Sequence, residues 1–312
     1  MLSIPHETLE QIVQRIQVGN TLISASPLIG GASAQVILMD VKQADDEIQK
    51  YLLRVHSEVD RDRNPNIANH EFRLLKTLND SGLPVAQPYY LDESCEIYPL
   101  PYLVVGYIEG ATEFSPQNLS DFILQSAKLL AKIHQVKQQL PMLGFLSDRN
   151  QHVLWWIEYQ PDHLDEELDE PRLRDALNSL FPLKQVNEST LLHGDFWPGN
   201  LIWSNGQLVG VIDWEDAEIG DPLSDLSIAR LDMLWAFGKD AMLDFTQAYQ
   251  DLMPHLDYGN LAHWDFFTAL RPANQLMDWS AGWAKIGRPD VTFTTMKQDH
   301  QWFVKQAFDQ MK

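Results

Sequence analysis

Leu9, Ile12, Val13 and Ile16 recur at the helical period and Gly19-Asn20 then breaks the pattern, so the chain predicts a short opening helix over residues 7–17. From Ile23 to Val59 the pattern shortens to strand-like runs, VILMDV and YLLRV, separated by the polar KQADDEIQK; this predicts an antiparallel hairpin. Helical spacing returns over residues 69–78, with Phe72, Leu75 and Leu78 on one side, and Ser81-Gly82-Leu83-Pro84 ends it. Two more strands are predicted around residues 86–92 and 102–107. The first hundred or so residues thus read as a small sheet with one internal helix. After Glu109-Gly110 the pattern becomes mainly helical, first over residues 120–136 and then throughout the chain beyond Asp221. One stretch interrupts this. The runs NLIW and LVGVIDW flank Ser204-Asn205-Gly206, a strong hairpin signal, and the two strands carry Asn200 and Asp213 at their ends.

Composition narrows the setting. The 312 residues are 45% apolar, enough for a real core, and the longest apolar stretches fall far short of the roughly 20 residues of a membrane span. The opening residues lack the basic start and apolar stretch of a secretory signal, so a cytoplasmic location without membrane attachment is the expectation. A single cysteine, Cys95, excludes an internal disulfide and any zinc site built on cysteines. The formal charge of −21 would repel nucleic acid, and no nucleic-acid partner is expected; it provides solubility and would also attract a cationic substrate.

The segment His193-Gly194-Asp195-Phe196-Trp197-Pro198-Gly199-Asn200, followed by Val211-Ile212-Asp213-Trp214, concentrates the chemistry. Phosphoryl transfer requires a group that orients the acceptor hydroxyl, oxygen ligands for a hard divalent cation, and charge neutralisation. An Asp, an Asn five residues on and a second Asp across a hairpin supply those parts with the spacing of a kinase catalytic loop, although Trp214-Glu215 replaces the Phe-Gly that follows the kinase metal Asp. Arg54, on the strand YLLRV, occupies the place of the kinase phosphate-binding Lys, and alternation puts Leu52 on the same face. Glu71 on the next helix is its natural partner. Leu28-Ile29-Gly30-Gly31-Ala32-Ser33 is a small-residue turn, placed before the first strand, whose backbone N–H groups are able to approach phosphate.

With HGDFWPGN followed by IDWEDAEIGDPLSDLS, the chain resembles the aminoglycoside phosphotransferase and choline kinase superfamily, which is similar to protein kinases in fold. The resemblance implies an α+β, bilobal protein-kinase-like fold, with a nucleotide-binding lobe at residues 1–107 and a mainly helical lobe at 108–312 holding the catalytic loop and acceptor site. It implies a Mg2+-dependent kinase that phosphorylates an alcohol group, with Asp195 as base, Asn200 and Asp213 binding Mg2+, and Arg54, Glu71, Gly30 and Gly31 serving ATP or GTP. PYLVVGYIEG resembles the last strand and hinge of the first lobe, so backbone near Val105 to Tyr107 would meet the adenine edge. His193 and Asp225 would brace the loop. The expected acceptor is a small-molecule hydroxyl, aminoglycoside-like first, with choline, homoserine or a sugar as alternatives; a catalytically silent nucleotide-binding scaffold is the rival. Phe196 and Trp197 are expected near the acceptor, with Trp279 and Trp283 as an aromatic floor, and the acidic residues 158–170 would attract amines.

Overall fold

In the computed structural model, which describes residues 4–28, 34–159 and 161–311, the chain divides into two units, Met1–Glu109 and Gly110–Lys312. The first unit opens with helix α1 (His6–Ile16) and continues through strands β1 (Thr21–Leu28), β2 (Ala34–Lys42) and β3 (Ile48–His56). Helices α2 (Glu58–Arg63) and α3 (Ile67–Asp80) follow, then β4 (Pro88–Asp92) and β5 (Tyr102–Gly106). The five strands form one antiparallel sheet in the order β1-β2-β3-β5-β4. Strict alternation in β3 sends Tyr51, Leu53 and Val55 into the core, against Leu9, Ile12 and Val13 of α1, and turns Leu52 and Arg54 to the other face.

Two elements depart from the sequence pattern. Strand β1 buries only Leu22, so it has no hydrophobic alternation to reveal it; pairing with β2 makes it a strand, and Pro27 fits the edge position. The Gly30-Gly31 turn therefore falls between the first two strands rather than ahead of the first, and its residues lie outside the described ones. Helix α2 buries no residue at all; the Ser57 side chain caps it by accepting from Asp60 N at 3.2 Å.

The second unit is mainly helical. Helix α4 (Leu119–His134) is followed by β6 (Ser147–Asp148), α5 (Arg149–Glu158), α6 (Glu170–Leu180) and β7 (Thr190–Leu192). The hairpin of β8 (Leu201–Ser204) and β9 (Gln207–Val211) turns through Asn205 (φ 50°) and Gly206 (φ 73°), the left-handed pair that a tight hairpin turn demands. Strand β10 (Glu218–Gly220) pairs with β6 and β7 in a second small sheet. Helices α7 (Leu223–Phe237), α8 (Lys239–Leu252), α9 (Leu261–Leu270), α10 (Leu276–Lys285) and α11 (Phe293–Gln310) complete the unit. Helix α7 is apolar nearly all round because α8, α9 and α11 surround it. Among the described residues, no helix is long and apolar enough to cross a membrane.

Candidate active site

The loop between β7 and β8 carries His193 to Asn200, and a buried carboxylate fixes its start. Asp225, on α7 and inaccessible to solvent, accepts from the backbone N–H of His193 at 2.6 Å and of Gly194 at 2.9 Å. Its second anchor is His134 at 3.3 Å, whose other ring nitrogen meets the Tyr249 hydroxyl at 2.6 Å. Burial alone would raise the Asp225 carboxyl, but hydrogen bonding and charge from His134 hold it below the usual range. Gly194 has φ +85°, and a Cβ there would lie 1.9 Å from the Asp216 carbonyl oxygen, so no other residue fits. His193 is fully buried, bonds the Ile212 carbonyl through Nε2 at 3.0 Å and packs 4.6 Å from Trp214; burial lowers its pKa. It is a brace for the loop, as Asp225 is.

These anchors present Asp195. The Asn200 amide donates from Nδ2 to the Asp195 carbonyl at 2.9 Å and to its Oδ2 at 3.2 Å, while Arg271 donates to Oδ1 at 2.9 Å. Both carboxylate oxygens are thus held, with the side chain still 30% exposed and able to receive a ligand. Arg271 follows α9 and also faces the charge of Asp232 on α7. Burial pushes the Asp232 carboxyl up to about 8, opposed by Arg271 and reinforced by Asp195.

That rise predicts a pH effect on stability. Asp232 titrates near an ordinary carboxylate value when unfolded and at about 8 when folded, so between those values only the folded chain keeps the proton. Its contribution is fully present below about pH 4 and is lost progressively as pH rises through about 8. Asp232→Asn should therefore lose less melting temperature than the wild type between pH 5 and 8; equal losses in both proteins would remove this assignment.

Asn200 and Asp213 lie together at the open end of the β8–β9 hairpin. Leu201 pairs with Val211, and the Ile212 N–H donates to the Asn200 carbonyl at 3.0 Å. Asp213 has φ +66°, a conformation that Asp tolerates better than most residues and that turns the chain sharply after β9. Nδ2 of Asn200 is committed to Asp195, which leaves Oδ1 as the amide oxygen, an atom of the type that hard cations take as ligand. No group of three or more His, Cys, Asp or Glu among the described residues forms a metal cage; Mg2+ characteristically needs only one or two protein oxygens plus phosphate and water.

Asp195 also lines a cavity of about 390 Å3 within the second unit. Trp197, Trp235, Trp279 and Trp283 form much of its wall with Leu231 and Met296, and its polar groups are Asp195, Asp216, Asp232, Thr268 and Arg271. Trp197 lies over Gly199, where a Cβ would overlap the indole at 2.1 Å, and its ring is 5.8 Å from Trp283. Trp279 and Trp283 both line this cavity, whereas Phe196 is fully buried and does not.

In the first unit, Arg54 Nε meets Glu71 Oε1 at 3.0 Å, and buried His56 meets the other carboxylate oxygen at 2.8 Å. Burial opposes ionisation of Glu71, yet Arg54 and His56 hold its carboxyl below the usual range. Val105 lies inside the sheet, opposite Leu52 of β3 and Pro88 of β4. The next two amides are also engaged, Gly106 N with the Gln87 carbonyl at 2.8 Å and Tyr107 N with that of Lys50 at 3.1 Å. Gly30 and Gly31 lie outside the described residues.

Sequence reasoning missed Arg271, Asp232 and His56. Arg271 stands 76 residues from Asp195, at a helix end where an Arg is ordinary, and Asp232 reads as one polar residue in an apolar helix. His56, two residues past Arg54 on the same strand face, was the one with a usable signal.

The chain resembles known proteins in both sequence and structure. Residues 24–286 match the model of the phosphotransferase enzyme family. Acyl-CoA dehydrogenase family member 10 of Mus musculus is 26% identical over 175 residues, which are 52% of this chain and 16% of that protein. Among solved structures, macrolide 2′-phosphotransferase type I superposes with a TM-score of 0.62 at 19% identity, covering 96% of this chain and 98% of the other. Spectinomycin phosphotransferase APH(9)-Ia, in complex with ADP and spectinomycin, gives 0.63 at 16% identity and covers 99% of each chain. The α+β fold is therefore that of these kinase-like phosphotransferases, and the chain belongs to the phosphotransferase enzyme family.

Proposed function

We propose that this phosphotransferase moves the γ-phosphate of ATP or GTP to the hydroxyl of a small organic acceptor. The observation that carries this reading is the Asp195 carboxylate, held through both oxygens by Arg271 and Asn200 on the wall of a cavity sized for a small molecule. Asp195 orients the acceptor hydroxyl and takes its proton as the oxygen attacks phosphorus. Asn200 Oδ1 and the Asp213 carboxylate would hold Mg2+, which when bound neutralises phosphate charge. The ADP in the spectinomycin phosphotransferase complex supports nucleotide use.

Residues 1–107 serve the nucleotide and 108–312 the chemistry and acceptor in this reading. Arg54 binds phosphate oxygens through its guanidinium fork, and Glu71 keeps the fork aimed. The backbone from Val105 to Tyr107 borders the base, and Gly30 and Gly31 approach phosphate. The Gly106 and Tyr107 N–H groups are spent within the sheet, so base recognition at this point falls to carbonyl oxygens or to the residues that follow. An aminoglycoside-like acceptor rests on the likeness to aminoglycoside kinases; the cavity at Asp195 favours a different chemistry.

ADP or GDP release with Mg-ATP and Mg-GTP across hydroxyl acceptors tests the proposal. Acceptor-dependent release supports it, whereas tight Mg-nucleotide binding without turnover would favour the silent scaffold. Asp213→Asn should weaken Mg-ATP binding by about tenfold or more, since a neutral amide replaces a charged ligand. Titration calorimetry giving unchanged affinity would remove Asp213 from the metal site.

A further inference from the structure

We infer that the acceptor is a compact, uncharged, predominantly apolar alcohol, seated in the tryptophan-walled cavity beside Asp195 rather than a polycation gathered by acidic side chains. This rests on the kinase reading above and names its acceptor class. At about 390 Å3 the cavity lies near the lower end of the roughly 300–1,000 Å3 range of small-molecule sites. Trp235 and Trp279 face one another edge-on with centroids 6.1 Å apart, and Phe114 packs behind Trp197 and Trp283 at 6.0 and 5.5 Å. Such a wall favours the removal of apolar surface from water.

Indole faces also attract cations, so charge decides between the two classes. Three carboxyl groups reach the cavity, but Arg271 stands among them: it pairs with Asp195 at 2.9 Å and faces the charge of Asp216, while burial pushes the Asp232 carboxyl up to about 8. A cationic head group attached near the reacting hydroxyl would approach the Arg271 guanidinium. Protonated Asp232 and Arg271 instead donate to a neutral oxygen on the acceptor.

Of the acidic residues 158–170 that would collect amines, Asp165, Glu167 and Glu170 are engaged elsewhere. Glu170 pairs with Arg174 at 2.8 Å and Glu167 with Lys297 at 3.0 Å. Asp165 accepts from the backbone of Leu168 and Asn274. None of these lines the cavity at Asp195. In the reaction the alcohol loses its proton to Asp195, its oxygen bonds to the γ-phosphorus, and the bond from that phosphorus to the bridging oxygen breaks, releasing nucleoside diphosphate.

The test uses the full chain with 4-phenylbutan-1-ol and cyclohexylmethanol as neutral probes, and choline and kanamycin as cationic ones. Tryptophan emission reports binding and nucleoside diphosphate release reports transfer. Both neutral alcohols should shift the emission saturably with dissociation constants about tenfold or more below those of the cations. Trp283→Leu should weaken them about tenfold; the more accessible Trp279→Ala serves the same purpose if the first variant does not fold. Choline or kanamycin binding as tightly as the alcohols, or no emission change with either alcohol up to its solubility, overturns the inference. Saturable alcohol binding without phosphoryl transfer would instead overturn the kinase reading and leave the acceptor site standing.

Discussion

Replacing Asp195 with asparagine is expected to lower kcat by about a thousandfold or more, in line with the roughly 10²–10⁴ contributed by a positioned general base. Asparagine keeps the shape of the side chain and one oxygen for Arg271, so the loop should stay in place while the proton acceptor is gone. Mg-nucleotide affinity, measured by titration calorimetry, should change by less than about threefold, because the proposed metal oxygens belong to Asn200 and Asp213. A variant turning over within about threefold of the wild type would end the assignment of Asp195 as base. An equal collapse of nucleotide affinity would instead place Asp195 among the metal ligands.

The largest stability effect is expected at Asp225. Asp225→Ala strips acceptors from the buried His193 and Gly194 N–H groups and leaves His134 without its carboxylate. Removing one partner from a buried charged network costs about 3–5 kcal/mol. At about 2–4 °C per kcal/mol for a unit of this size, the melting temperature should fall by about 6–20 °C. Differential scanning calorimetry checks this, and a fall of only a degree or two would mean that the loop is held by other contacts. Asp225→Asn should lie between the two, since its amide supplies one acceptor oxygen where the carboxylate supplies two.

The two substitutions separate chemistry from scaffold. Asp195 is partly exposed and bonded through both oxygens, so its loss should act on rate; Asp225 is wholly buried beneath the same loop, so its loss should act on folding.

Much of this was legible along the chain because it is encoded locally. The α3 and α4 periodicities, the VILMDV and YLLRV strands and the Asn205-Gly206 turn need only neighbouring residues to declare themselves. The spacing of Asp195, Asn200 and Asp213 is equally local, since one loop and one hairpin place all three. The pairing of Arg54 with Glu71 was also readable, because β3 and α3 are separated only by the short α2 region. Strand β1 was not legible. It buries one side chain and exists through its ladder with β2, an interaction that its own sequence does not display.

The helices, the strands and the polar residues of the loop and hairpin were readable along the chain, because period, turn chemistry and short spacing act over a few residues; the bilobal fold class followed from the resemblance that the loop motif carries. The surroundings of Asp195 emerge only on packing. Arg271 comes from the end of α9 and Asp232 and Trp235 from α7, and each reads alone as ordinary helix surface or core; Trp279 and Trp283 share a face of α10 by their spacing, but their place beside Asp195 does not show along the chain. Helix packing brings them into one cavity, and burial there raises Asp232 to about 8. Solvent exclusion and the fields of charges distant in sequence exist only once the chain has packed, so no local pattern could have carried them.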